Sequence, residues 1–232
     1  IRRQRQMCIR DRVYGLLADD HSRKVLRDVV EYKLTGDIKL LRGCESEPRE
    51  AWENILRPGK EEHYMDLGAY TGDTIAEFIG YAGEWRRITA LEPDPVTFAK
   101  LERNTAGLHD CILYRLGVYS QYARLPFAGG AGRGSHLAAG GAMTELDSVD
   151  NILCGQTVSF INMDVEGMEA EAIAGMAKTL RRHRPKLLIA GYHRSEDLWR
   201  LPLEVLAIQP EYKVYVRHYP CLPAWDVNFY FV

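Results

Sequence analysis

The sequence predicts a doubly wound α/β domain built on a parallel sheet, and three observations carry that reading. The run Tyr64-Met65-Asp66-Leu67-Gly68-Ala69-Tyr70-Thr71-Gly72-Asp73 is an apolar strand that ends on an acid and a glycine and opens into a helical pattern. A second apolar strand, Arg87-Ile88-Thr89-Ala90-Leu91, ends on another acid, Glu92. From residue 61 onward strands and helical stretches alternate without an internal repeat, as in βαβ units whose helices cover a parallel sheet. Strand, acid-glycine turn, helix and acid-ended strand together make the nucleoside-binding half of a Rossmann-like fold.

The elements follow in order. Residues 13–60 read as a helical extension, because Val13, Leu16 and Leu17, then Val25, Leu26, Val29, Val30 and Leu34, recur at helical spacing. Ser22 is the expected N-cap of the second of these helices. Residues 42–60, with Gly43, Pro48, Pro58 and Gly59, read as loop around one short helix at 51–56. Strands are expected at 62–67, 87–92, 111–116, 157–163, 186–190, 212–217 and 226–231, with helices at 72–82, 95–105, 168–181 and 196–208. The last two strands are joined by the short segment Pro220 to Ala224, which implies an antiparallel hairpin. The glycine-rich stretch 129–141 interrupts the alternation. It reads either as a hairpin or loop excursion over the sheet's edge on the acceptor side or as a flexible linker. Residues 1–12 stand apart: Ile1 to Gln6 is polar without periodicity, and Met7 to Arg12 looks like translated sequencing-adapter DNA. A foreign segment or a disordered basic tail are the two readings, and neither is assigned a function.

A chain of 232 residues with 46% apolar content can bury a full core as one domain of ordinary size. The formal charge of -2 gives no global attraction to nucleic acid or anionic membrane. The cluster Arg181-Arg182-His183-Arg184 falls where a helix should end, and pairing with the helix dipole accounts for it. Cysteines at 8, 44, 111, 154 and 221 form no C-x-x-C pair, and the odd count argues against a disulfide framework. No apolar run approaches the roughly 20 residues that span a bilayer, and no cleavable signal is evident. The expectation is a cytoplasmic protein that inserts in no membrane and binds no nucleic acid; oligomeric state is not legible.

The spacing of the glycines narrows the ligand. Gly68 and Gly72 lie four apart, without the middle glycine that lets a backbone close around a pyrophosphate. Such a turn suits S-adenosylmethionine, which carries no phosphate, with its methionine arm over the turn and its ribose at Glu92. A carboxylate accepts both ribose hydroxyls in charge-assisted hydrogen bonds. Asp66, Gly68, Tyr70, Gly72 and Glu92 are therefore the candidate cofactor residues, although Asp66 also suits a helix cap and Tyr70 a core cover. Later strands end on Asp164 and His193, so four polar strand ends are expected on one edge of the sheet, where open α/β sheets bind ligands. His193 is the candidate general base, Asp164 its orienting partner or an acceptor ligand, and Glu166 a third catalytic candidate. Each has a structural alternative: Asp164 as a loop brace, Glu166 and Glu169 as acids favourable to a helix N-terminus, His193 as a packing residue. No metal is assigned, although oxygens of Asp164, Glu166 and Glu169 are the ones a Mg²⁺ would use.

Together, Asp66-Leu-Gly-Ala-Tyr-Thr-Gly-Asp-Thr-Ile75, Glu92-Pro93, Ile161-Asn-Met-Asp-Val-Glu-Gly-Met-Glu169, Tyr192-His193 and Arg217-His218-Tyr219 resemble the FkbM family of S-adenosylmethionine-dependent methyltransferases. The resemblance implies a class I methyltransferase domain over residues 61–232, with seven strands in the order 3-2-1-4-5-7-6 and strand 7 antiparallel. It also implies O-methylation of a sugar, glycan or natural product. By motif match Asp66, Gly68 and Glu92 would serve the cofactor, and Asp164, Glu166 and His193 would surround a small-molecule or glycan acceptor. The chain departs from the family at Asn162 and its neighbour, where Ile-Lys is frequent, and at Met168, where alanine is. No acid follows the third strand to hold an adenine amine. The rival readings are a catalytically silent Rossmann-like binding protein and an NAD(P)-dependent oxidoreductase, the latter disfavoured by the missing glycine. The Asn-Pro-Pro-Tyr type of motif that presents a flipped base to a nucleic-acid methyltransferase is absent.

Overall fold

A computed structural model describes residues 11–128, 136–137, 141–221 and 226–232. The strands among them are β1 (His63–Leu67), β2 (Arg87–Leu91), β3 (Cys111–Tyr114), β4 (Gly117–Val118), β5 (Ala123–Ala128), β6 (His136–Leu137), β7 (Ala142–Asp147), β8 (Phe160–Met163), β9 (Lys186–Ala190), β10 (Val214–His218) and β11 (Val227–Phe231). Seven of them form one sheet in the order β10-β11-β9-β8-β1-β2-β3. Read from the other edge and renumbered over those seven, this is the expected 3-2-1-4-5-7-6. β1 pairs in parallel with β2 and β8, β2 with β3, and β10 and β11 run antiparallel.

The helices are α1 (11–16), α2 (Asp20–Thr35), α3 (Ile38–Gly43), α4 (Pro48–Glu50), α5 (Asp73–Ala82), α6 (Pro95–Thr105), α7 (Val149–Leu153), α8 (Glu169–Gly175), α9 (Ala177–His183) and α10 (Asp197–Ile208). A π-helical turn (Ala51–Leu56) follows α4 and coincides with the short helix expected there. Two expectations need correction. Asp19, rather than Ser22, caps α2, and its carboxylate accepts from the Ser22 N–H at 2.7 Å. The helix expected over 168–181 is two, divided at Met176, whose ψ of 15° leaves the helical range. The strands on either side of the glycine-rich stretch, β5 and β7, pair antiparallel as the hairpin reading expected, and they belong to a second sheet in the order β4-β7-β5-β6. Residues 1–10, 129–135, 138–140 and 222–225 lie outside the described residues, and with them most of the adapter-like segment, most of the excursion's glycines and most of the link between the last two strands.

The chain divides into two compact units, 57–187 on the one hand and 1–56 with 188–232 on the other. In the first, β1, β2 and β8 are almost continuously buried, as parallel strands covered on both faces are. Tyr64 stacks on Phe78 with ring centroids 4.1 Å apart, and Phe160 meets Tyr64 edge-on at 5.2 Å. Offset and edge contacts of this kind add to the burial of three large rings.

In the second unit the N-terminal helices are fastened to the last strand pair through one cation. Arg217 is 2% exposed. Its guanidinium donates to both carboxylate oxygens of Glu50 at 2.8 and 3.0 Å, to both of Asp19 at 3.3 and 2.7 Å, and to Ser22 Oγ at 2.8 Å. A planar fork fits two carboxylates in this way, whereas an ammonium is a point donor. Arg217→Lys should therefore keep the charge and lose the geometry, at a cost of about 2 kcal/mol. A fall in Tm of about 4–8 °C on thermal unfolding would register it, and an unchanged Tm would show that the fork does not matter.

Candidate active site

The candidate cofactor residues all lie in the unit 57–187, around the turn that leaves β1. Three residues of that turn have positive φ: Gly68 at 86°, Tyr70 at 47° and Gly72 at 89°. A non-glycine residue in this region is a local strain that its surroundings must hold in place. Here the surroundings do so with hydrogen bonds. Gly68 and Ala69 both donate to the Leu91 carbonyl, at 3.0 and 2.9 Å, and Gly72 donates to the Ala69 carbonyl at 2.7 Å. Tyr70 donates its N–H to Glu92 Oε2 at 3.0 Å, and Asn104 Nδ2 reaches the Thr71 carbonyl at 2.8 Å.

Glu92, just past β2, accepts the Asp94 N–H on its other oxygen at 2.8 Å. One carboxylate thus links the turns that follow β1 and β2. It is 6% exposed, and burial pushes its carboxyl up to about 7 against the hydrogen bonds of Asp94 and Tyr70. Each oxygen takes one backbone donor and keeps acceptor capacity. Acceptor capacity of this kind is what a diol ligand requires. Asp94 also caps α6, accepting from Val96 and Thr97, with Pro95 at the first helical position. The Asp-Pro pair carried that signal in the sequence.

Asp66 is placed differently. It is fully buried inside β1 and accepts from Thr74 Oγ1 at 2.5 Å, Asn162 Nδ2 at 2.9 Å and Tyr64 Oη at 3.3 Å. Burial pushes it up to about 6, although these three donors act the other way. Its surroundings are protein on every side, and the carboxylate works inside the fold. Asn162 stands opposite Asp66 in the β1/β8 register, which is why its amide meets that carboxylate. Sequence reasoning alone singles out neither Thr74 nor Asn162 as a functional residue.

Asp164 follows β8, donates its N–H to the Leu67 carbonyl at 3.0 Å, and lays its own carbonyl against Gly68. A Cβ built on Gly68 would lie 2.0 Å from that oxygen. The glycine is thus required by the approach of the neighbouring strand's loop. Glu166 lies in that loop with φ 52°, before Gly167 at 91°. Glu169, buried at the start of α8, turns back so that Oε1 accepts from Gly167 at 3.2 Å and Val165 at 3.4 Å. It braces the loop, a more specific role than the dipole pairing expected for it. His193 belongs to the other unit, where it follows β9 half-buried, with its ring centroid 4.4 Å from that of Tyr192.

A mostly parallel seven-stranded sheet with this order, in which β11 runs antiparallel to β10, is the class I methyltransferase fold. Residues 66–215 match the Methyltransferase FkbM domain, and the chain belongs to that family. It is similar to a methyltransferase FkbM from Methylobacillus flagellatus KT, with 27% identity over 98% of this chain and a TM-score of 0.86. The chain spans 59% of that protein's length. An Aeropyrum pernix fibrillarin solved with natively bound S-adenosyl-L-methionine is 14% identical, with 79% of this chain and 71% of that one covered and a TM-score of 0.51. An rRNA methylase from Streptococcus thermophilus is 13% identical, with 80% and 96% covered and a TM-score of 0.51. These last two likenesses are of fold alone. No curated protein sequence matches the chain, and no helix among the described residues is long and apolar enough to cross a membrane.

Proposed function

We infer that the chain binds S-adenosylmethionine at the turn after β1 and transfers its methyl group to a hydroxyl oxygen of a sugar, glycan or other small natural product. The observation that carries the reading is Glu92: a buried carboxylate with spare acceptor capacity, tied to Tyr70 of the glycine turn and fixed at the end of β2. Family membership and the cofactor held by the fibrillarin neighbour support it. The bound cofactor would supply an electrophilic methyl carbon on a sulfonium. Glu92 would accept the two ribose hydroxyls, and the Gly68, Tyr70 and Gly72 backbone would shape the surface for the amino-acid arm. Asp66, with its oxygens already taken, would support that surface without touching the ligand. A reducing compartment such as the cytoplasm suits the unbridged thiols of Cys44, Cys111, Cys154 and Cys221.

On the acceptor side, His193 is proposed as the base that removes the hydroxyl proton as the oxygen attacks, with Asp164 and Glu166 binding acceptor hydroxyls. A histidine's ordinary pKa suits proton removal near neutrality. The imidazole would take up the hydroxyl proton as that oxygen becomes methylated. Most of the acceleration would come from alignment of the two reactants. Replacing His193 with Ala should lower kcat about 10²-fold, at the small end of general-base effects, with affinity for S-adenosylhomocysteine within about twofold. An equal kcat would remove His193 from the reaction.

Calorimetry with S-adenosylhomocysteine tests the cofactor reading, and methyl transfer from labelled donor across oligosaccharide and polyhydroxylated acceptors tests the chemistry. Failure of the first refutes the whole reading. Binding without transfer to any acceptor favours a silent binding protein instead.

A further inference from the structure

We propose that Thr74 and Asn162 are positioning residues for the cofactor turn, acting through Asp66, which serves as an internal strut. The proposal rests on the cofactor reading above, but its geometry stands apart from any ligand. Asp66 lies just before the turn and Thr74 just after it, the second residue of α5. Their 2.5 Å hydrogen bond joins residues eight apart and closes segment 66–74 into a ring. Within that ring lie all three positive-φ residues, Gly68, Tyr70 and Gly72. The other oxygen of Asp66 is held from β8 by Asn162 at 2.9 Å. Tyr64 Oη, two residues back on the same strand face, completes the set at 3.3 Å.

A turn with three left-handed residues is conformationally costly, and a loose one would be ordered only when ligand arrives. The strut removes that freedom beforehand. It fixes where α5 begins relative to the end of β1, and so fixes the amides and carbonyls between them. A site held by buried partners of this kind binds more tightly because less ordering remains to be done on binding. The effect should therefore fall on cofactor affinity and on the mobility of the turn.

Thr74→Val removes the donor at nearly constant shape, and Thr74→Ser keeps it. In the unliganded protein, hydrogen–deuterium exchange over residues 68–73 should quicken at least tenfold in Thr74→Val and stay near the parent rate in Thr74→Ser. The Kd for S-adenosylhomocysteine should rise about tenfold in the valine variant, one lost hydrogen bond's worth, and return to within about threefold in the serine variant. Should Thr74→Val not fold, Asn162→Ala empties the other side of the strut and carries the same expectation. Parent-like exchange and affinity in the valine or alanine variant would overturn the proposal, as would a serine variant as loose as valine. Parent protein that binds no S-adenosylhomocysteine would refute the cofactor reading, and the exchange arm would still decide whether the strut holds the turn.

Discussion

Replacing Gly68 with Ala should destabilise the protein by about 4 kcal/mol, through a left-handed backbone penalty of about 1–2 kcal/mol and the displacement of packed backbone at about 1–3 kcal/mol. The first contribution follows from a φ of 86°. The second follows from the Asp164 carbonyl oxygen, which a new Cβ would meet at 2.0 Å, with the carbonyl carbon at 3.0 Å. Relief by rotating a side chain is impossible, because the obstacle is backbone. That backbone is itself held by the Asp164 N–H on the Leu67 carbonyl. Gly36→Ala separates the two contributions, since Gly36 has φ 74° and a Cβ added there would meet nothing within 4 Å. It should cost only the dihedral penalty, about 1–2 kcal/mol. For a chain of this length about 4 kcal/mol corresponds to a Tm lowered by about 8–16 °C. Equal losses in the two alanine variants would mean that the Asp164 loop gives way freely. The turn and the Asp164 loop would then be independent.

The same glycine shows where the sequence was readable and where it was not. Gly68 announced a turn, and the flanking apolar runs located β1, β2, α5 and α6 to within a residue, because parallel strands buried on both faces leave unbroken apolar signatures. The reason for the glycine was hidden, since Asp164 lies 96 residues away and only the β1/β8 register brings it there. Asn162 was visible as a departure from a family pattern, yet its partner Asp66 depended on that register too. Short elements escaped for another reason. α7 has five residues, and β5 carries Arg124 and Pro126, so neither displays enough of a period to stand out from loop. Glu92 was legible in both position and type, because a lone acid after an apolar run is conspicuous. Its hydrogen bonds to the two turns were not.

Glu92 should make both stability and cofactor affinity depend on pH, in opposite directions. Folding raises this carboxyl from an ordinary 4.5 to about 7, through burial. Between those values the folded protein holds a proton that the unfolded chain has released, so stability falls as pH rises through the window. Across it the change is about 3 kcal/mol, from about 1.36 kcal/mol per pH unit. Glu92→Gln should lack that slope, whatever its constant offset. Affinity runs the other way, because ribose hydroxyls donate to the charged form. The Kd for S-adenosylhomocysteine should strengthen roughly tenfold per pH unit from 5.5 toward 7 and level off above 8. Binding near pH 6.5 should release a proton, which calorimetry in buffers of different ionisation enthalpy reads directly. Glu92→Ala loses two hydrogen bonds to a charged acceptor, about 4 kcal/mol or roughly 10³-fold in Kd, and with them the pH dependence. A flat affinity profile in the parent, or an alanine variant that binds as the parent does, would place the ribose elsewhere and leave Glu92 as a brace between two turns.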